Sequence, residues 1–454
     1  MITSACQYSI CQRLTKRKYS AKKSNYGGPV WITAEESERQ MSVTVRQGSH
    51  GNGTSGEWHG REAPESTPAE PVNAPVVFMG LLGMDSHNRE EAELVRHLAA
   101  RGHLVLYLTP LGVRDVGPRD LLTGLRRLRR SGRLAPGVAG VHSASLLVLP
   151  WRALRPVAWL NRLLVRWQLA WALRSLAVER PIFWLRLPTP ELVDQTDALG
   201  ARGVVYDCID NYAAYPQYDE VERERLAHYE RRLVARADLL VTLTASVAAR
   251  FPEAAERTHV VPLGVDLDLF GRPPGLVPAD LERLPRPRLG LVGGLDGRVD
   301  FDLLHRLAVA EPTWSLVLIG PLAGGIDPGP MARLPNVHFL GPRDYEMVPD
   351  YLTGLDVCLI PYRRTAWTVG VFPAKLHEYL ATGQPVVAVD LPGLAPYAGA
   401  IELASDADGF IAACRRAVDE RDPAPAARRR AIAASHSLEA RCCILDDLIR
   451  SLET

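Results

Sequence analysis

From Pro75 onward, short unbroken apolar runs alternate with longer segments whose apolar residues recur at helical spacing. APVVFM, HLVLYL, PIFWLRL, GVVYDC, DLLVTLT and THVV fill the first half of this region, and RLGLV, SLVLIG, NVHFLG, DVCLI and PVVAV the second. Runs of this kind, without polar alternation, read as strands covered on both faces, as in parallel sheets. REEAELVRHLAARG, PELVDQTDALG, Glu220 to Arg236, DFDLLHRLAVAEP and DYEMVPDYLTGL between them read as helices. The alternation predicts an α/β chain of two Rossmann-like, doubly wound domains facing across a cleft.

The predicted boundaries follow from breaks in that pattern. Residues 1–74 form a disordered tail, residues 75–265 a first domain, and 266–287 a Pro/Gly-rich linker. Residues 288–404 form the second domain, and 405–454 are C-terminal helices that pack back across both domains. The tail is basic, then rich in Gly, Ser, Pro and Glu, and offers too little apolar surface to offset its ordering entropy. It has no apolar stretch of the kind that a secretory leader carries.

One stretch of the second half concentrates the chemical signals. Val369 to Leu394 reads as loop, helix, glycine stop, turn and buried strand, with Pro373 suited to the first helical position and Gly383 to the C-terminal one. No acid lies between Asp356 and Glu378, and the helix opens from a Gly-containing loop, so its N-terminus is an anion-ready end. Lys375 sits in the first turn, where a cation opposes the helix dipole. The chain's other lysines, Lys16, Lys18, Lys22 and Lys23, all lie in the tail. A chain that elsewhere uses arginine places here a compact ammonium, suited to phosphate. The bland alternative is a surface lysine on an ordinary helix.

Composition narrows the classes. The 454 residues are 47% hydrophobic with a net charge of +1, so no global charge argues for nucleic acid. Seven cysteines show neither CxxC nor zinc spacing and read as reduced thiols. Local charge is another matter. Leu121 to Val178 has no Asp or Glu but carries Arg126, Arg127, Arg129, Arg130, Arg133, Arg152, Arg155, Arg162, Arg166 and Arg174. Within it, 151–178 mixes Trp151, Trp159, Trp167 and Trp171 with leucines. Arginine interrupts it too often for a bilayer span, but it fits an interfacial helix, so peripheral membrane contact is expected alongside the plainer reading of a solvated arginine face.

Candidate site residues also appear in the first half. Gly80 to Gly83 bracket a loop after the first strand, followed by His87 and Arg89 at the next helix start, a Rossmann-like opening that lacks GxGxxG. Asp207 and Asp210 fall at or past the end of GVVYDC, where α/β sites collect, although turn and cap chemistry also favours Asp there. Gly83, His87, Arg89 and Asp207 are therefore the candidates on the first-domain side of the cleft.

VVPLGVDLDLF, LVGGLDGRVDFDLL, NVHFLGPRDYEMVPDYLTGLDVCLIPY and above all FPAKLHEYLATGQPVVAVDLPGL resemble the retaining, nucleotide-sugar-dependent glycosyltransferases of GT-B fold, over about residues 75 to 454. HLAARGHLVLYLTP and VYDCIDNYAAYP are similar to the subgroup acting on bacterial surface polysaccharides and teichuronic-acid-type glycans. The resemblance implies a donor site of Gly293, Gly294, Arg298, Arg343, Phe372, Lys375 and Glu378, with Asp210 and Lys375 nearest the chemistry. Glu378 matches the second acid of a Glu-x7-Glu pair that holds the donor ribose, while the first falls on Gly370 and is absent. Gly294 and Val299 stand where two phosphate-binding cations are usual. The implied partners are a nucleoside diphosphate-sugar and a glycan, lipid-linked or cell-envelope acceptor, with no nucleic acid, no cofactor and no metal, and a cytoplasmic site on the inner membrane face. A non-catalytic scaffold and a nucleotide-sugar epimerase of the same fold remain open.

Overall fold

The computed structural model describes residues 73–81, 89–109, 139–149 and 154–453. Most of the predicted tail, Gly83, His87, the Arg89 side chain, Arg126 to Arg133, Trp151 and Arg152 lie outside the described residues.

The apolar runs form two parallel sheets. The first holds β1 (Val76–Met79), β2 (Val105–Thr109), β3 (Val141–Ser145), β4 (Ile182–Leu185), β5 (Gly203–Cys208), β6 (Leu239–Thr242) and β7 (Thr258–Val260), in the order β3-β2-β1-β4-β5-β6-β7. The second holds β8 (Arg288–Val292), β9 (Ser315–Ile319), β10 (Val337–Gly341), β11 (Val357–Ile360), β12 (Val386–Val389) and β13 (Glu402–Ala404), in the order β10-β9-β8-β11-β12-β13. Among the described residues, the helices of seven residues or more are α1 (Arg89–Ala100), α2 (Arg155–Ser175), α3 (Glu220–Arg236), α4 (Phe301–Ala310), α5 (Val348–Gly354), α6 (Lys375–Thr382), α7 (Ala407–Val418), α8 (Pro423–Ser435) and α9 (Leu438–Arg450). PELVDQTDALG is helical only over Pro190–Val193, after which the chain turns through Gly200 at φ +66.

Strand alternation explains the unbroken apolar runs. Val76, Phe78, Tyr107, Ile182 and Trp184 face one side of the first sheet, where Leu94, Val95 and Leu98 of α1 cover them. Val77, Met79, Leu106, Phe183 and Leu185 belong to a second cluster with Val165, Leu169 and Leu173 of α2. With both faces covered, successive residues are all buried.

The C-terminal helices divide between the sheets. α7 packs on β12 and β13, and α8 packs along α6. α9 lies against α1 and contributes Cys442, Leu445 and Ile449 to the first-sheet core. The chain crosses between the sheets at Val265, whose N–H donates to His436 O at 2.9 Å and whose carbonyl accepts from Leu438 N–H at 2.9 Å. Gly264 permits that approach, since a Cβ there would lie 2.7 Å from Leu438 Cα.

In each sheet the strand order reverses at one place, between β1 and β4 and between β8 and β11. Crevices beyond the strand C-termini at such points are where open α/β sheets bind ligands. At the second crevice the loop after β8 closes on the end of β9. Gly293 adopts φ +125 and Gly320 φ +141, and a Cβ on Gly320 would fall 1.9 Å from Gly293 O. Gly320→Ala combines that overlap with backbone strain, so it is expected to cost at least ~2 kcal/mol and to lower the melting temperature by several degrees in calorimetry. A variant melting with the parent contradicts this packing.

Candidate functional site

The site is built on the second crevice. α6 begins at Lys375, preceded by Ala374 in helical conformation, so the helix starts later than Pro373 implied. It ends at Gly383 in the left-handed region, φ +79, whose N–H donates to Leu380 O at 3.0 Å. Leu376, Tyr379 and Leu380 are buried, and Tyr379 Oη accepts from Val292 N–H at 2.9 Å, fixing the helix to the end of β8.

That anchoring aims Lys375 into the crevice. A Cβ on Gly293 would lie 2.9 Å from Lys375 Nζ, so the loop after β8 passes directly beside the ammonium. On the other side, Nζ lies 5.3 Å from the ring centroid of Tyr362, just beyond β11. Lys375 is 3% exposed, and Nζ has no hydrogen-bond partner among the described residues. A buried ammonium with unmet donors is costly unless an anion completes it. Gly294 is buried beside Gly293 in the same loop.

Arg298 is within this crevice but is already neutralised. It is 2% exposed and grips Asp296 through Nε at 2.9 Å and Nη2 at 2.6 Å. It also lies over the rings of Tyr362, at 5.6 Å, and Trp367, at 5.4 Å. Burial pulls its pKa down, but Tyr362, Asp296 and Asp210 together hold it above the ordinary value. Burial works to raise Asp296, yet Arg298, and secondarily Lys375, keep that carboxyl below its usual range. The uncompensated charge is therefore that of Lys375.

Glu378, one turn along α6, is 7% exposed and accepts from Tyr345 Oη at 2.8 Å. Burial raises its pKa against the opposing pull of Tyr345 and Lys375. Phe372 is a wall residue, packed 5.1 Å from His377 and 6.1 Å from Tyr397 between ring centroids. His377 is buried, and burial first, then His436, depress its pKa to about 3, leaving the ring neutral near pH 7. Its Nδ1–H donates to Leu263 O at 2.6 Å and its Nε2 accepts from Tyr397 Oη at 2.8 Å, so α6 is tied to the crossing chain.

The first domain supplies Asp210. Fully buried just past β5, it accepts from Tyr215 Oη at 2.8 Å and from Asn211 N–H at 2.7 Å. Burial raises its pKa, and the Arg298 charge partly offsets this across the domain junction. Tyr215 stands 5.2 Å from Trp367 between ring centroids. At Gly370, where the resemblance places an acid, a Cβ would already contact Asn211 Cβ at 3.5 Å and Val247 Cγ2 at 3.7 Å. Gly370 therefore lies at the junction of the two domains, in ordinary van der Waals range of the first.

Two candidates are committed elsewhere. Asp207 accepts from Arg186 Nε at 2.8 Å and Trp184 Nε1 at 3.1 Å. Arg186 in turn pairs with Glu90 at 3.1 Å and Glu91 at 3.3 Å, and Arg441 of α9 reaches Glu90 at 3.0 Å. Among the described residues, the buried charges beside the first crevice are thus paired with one another. Arg343 donates to Asp280 at 2.6 Å and to Tyr351 Oη at 2.6 Å, which ties it to the linker. Tyr345, two residues on, makes the contact with Glu378 instead. Sequence reading missed Asp296, Tyr362 and Trp367. Tyr362 had a usable signal, since it follows β11 at the strand end beside the reversal point.

Among the described residues no group of His, Cys, Asp and Glu could hold a metal. What the arrangement offers is one uncompensated cation, a helix start and a glycine loop on one side, with two carboxyls of raised pKa nearby. That suits a polyanion carrying hydroxyls.

Replacing Lys375 removes an unpartnered buried charge. Lys375→Met is expected to stabilise the ligand-free chain by roughly 1–3 kcal/mol in urea denaturation, and a clear loss of stability contradicts the lone-cation description. The raised Glu378 pKa has a definite sign. Between the ordinary value of 4.5 and its higher folded value, the folded chain binds more protons than the unfolded one, so stability falls as pH rises through that window. Glu378→Gln is expected to flatten that slope and to be more stable than the parent at pH 7, tested by denaturation across pH.

Comparison with known proteins adds an independent line. Residues 286–420 match the family model described as glycosyl transferases group 1. Over 236 residues the chain is 31% identical to a Bacillus subtilis (strain 168) protein named as a teichuronic acid biosynthesis glycosyltransferase, TuaH; the match covers 48% of this chain and 59% of that one. Anabaena HepE, solved in complex with UDP, superposes with a TM-score of 0.60 at 15% identity, covering 83% of this chain and 100% of its own. Sucrose-phosphate synthase of Thermosynechococcus elongatus gives 0.62 at 19% identity, covering 84% and 99%. An Escherichia coli trehalose-6-phosphate protein bound with UDP-2-fluoro glucose gives 0.59 at 16% identity, covering 83% and 99%. These likenesses show the fold, two Rossmann-like domains of GT-B type.

Proposed function

We propose that this chain, whose second domain is a group 1 glycosyl transferase domain, moves a sugar from a nucleoside diphosphate-sugar to an acceptor hydroxyl with retention. The observation that carries the reading is the buried, unpartnered ammonium of Lys375 at the start of α6, beside the glycine loop of the second crevice. The diphosphate lies against Lys375 and the helix start, and the ribose hydroxyls bond to Glu378. As the sugar–phosphate bond breaks, negative charge grows on the departing phosphate, where the fixed cation and backbone dipoles stabilise it. The acceptor hydroxyl enters from the first-domain side, near Asp210, and its proton passes to the departing phosphate. No metal is required in this scheme.

The similarity to TuaH, a protein named for teichuronic acid biosynthesis, supports a cell-envelope glycan, or a lipid carrying one, as acceptor. Among the described residues no helix is long and apolar enough to cross a membrane; a cytoplasmic site at the inner membrane face is part of this proposal.

A donor panel separates the alternatives. Nucleoside diphosphate release that depends on added acceptor supports the transferase. Binding without turnover supports a scaffold, and sugar conversion without acceptor supports an epimerase. In the transferase, Asp210 positions the acceptor side rather than taking the proton, so Asp210→Asn is expected to lower turnover up to about a hundredfold while donor affinity stays close to the parent's. Unchanged turnover removes Asp210 from the chemistry.

A further inference from the structure

α2 presents an outer face that its packing does not explain. Two amide side chains set its roll. Asn161 is fully buried, its Oδ1 accepting from Leu149 N–H at 2.6 Å and its Nδ2 donating to Leu149 O at 3.0 Å. Gln168, two turns later, repeats the pattern on Leu147, accepting at 2.8 Å and donating at 2.9 Å. Each amide pairs with one residue's N–H and C=O as a neighbouring strand would. With Val165, Leu169 and Leu173 buried on the same side, the opposite face is held outward.

That outward face is apolar and basic together. Trp159 is 61% exposed, Trp167 68% and Trp171 58%, with Leu160 at 39% and Leu163 at 42%. Large side chains in one contiguous patch mark an interaction surface, unlike scattered exposed leucines. Arg155, Arg166 and Arg174 are exposed on the same helix, and none of them makes an ion pair among the described residues. α2 contains no acid.

The geometry points to this face of α2 as a docking surface for an anionic lipid bilayer, with the helix axis in the membrane plane. Tryptophan favours the headgroup boundary, where its ring is half apolar and its N–H stays hydrated. Unpaired arginines along such a face add attraction to anionic headgroups. Charge complementarity selects this occupant: a second copy would bring arginines against arginines, and no acid on α2 could answer them. Docking does not depend on the transferase reading, and it is measured without donor.

The test is co-sedimentation of the full chain with vesicles of phosphatidylcholine alone or mixed equally with phosphatidylglycerol. Binding to the anionic vesicles is expected, with a blue shift of tryptophan emission, and little to the neutral ones. Replacing Trp159, Trp167 and Trp171 together by Ser should weaken binding at least tenfold. Changing Arg155, Arg166 and Arg174 to Gln should weaken it about a hundredfold. All three positions in each set are exposed, and circular dichroism and thermal melting are the controls that the variants fold. No vesicle binding by the parent chain, parent-like binding by either triple variant, or a self-association that the tryptophan changes abolish overturns the proposal.

Discussion

A single ammonium held out of water without a partner is the constraint that the second domain is arranged around. Lys375 is buried because α6 is anchored at three places. Tyr379 bonds to β8, His377 to the crossing chain, and Gly383 ends the helix where α8 packs. Each contact is ordinary core chemistry. Together they fix a side chain whose ammonium has no hydrogen-bond partner among the described residues, with only the Tyr362 ring and the more distant charges of Asp296 and Glu378 to answer it. A protein interior tolerates such a group at a cost, and completion by an anion is what relieves it.

The two crevices differ in an instructive way. Both lie where strand order reverses, and both are lined by charged residues. In the first, Glu90, Glu91 and Asp207 surround Arg186, and Arg441 arrives from α9 to complete the set. Those charges answer one another, and they lock the C-terminal helix to the first domain. In the second, Asp296 answers Arg298 and leaves Lys375 over. Among the described residues, the charges of the first crevice are paired, whereas the second keeps an ammonium without a hydrogen-bond partner. Asp210 and Arg298 then couple the halves, since each affects the other's protonation across the junction.

Much of this was legible along the chain because it is local. The strands show as apolar runs since both faces are covered. Gly383 is required by a left-handed backbone, and Lys375 stands out as the one lysine beyond the tail. What could not be read is pairing at long range. Nothing near Arg343 announces Asp280, and nothing near Glu378 announces Tyr345, because those partners are set by how the linker and the loop after β10 fold back. Asp207 looked like a site residue by its position at a strand end, yet the neighbouring strand supplies Arg186 to occupy it. For α2, periodicity separates arginine from leucine, but only the amide clamps of Asn161 and Gln168 show which face turns outward.

The central claim is that Lys375 is the cation that receives a diphosphate. It is tested most directly by calorimetric titration of UDP and GDP, and of uridine and guanosine as controls, into the parent chain and Lys375→Met. The account predicts that the parent binds at least one of the diphosphates and that the variant binds it at least tenfold more weakly, as loss of a charge-assisted contact worth about 1.5–3 kcal/mol requires, while the matching nucleoside is little affected. Equal diphosphate affinity in a folded variant would contradict it.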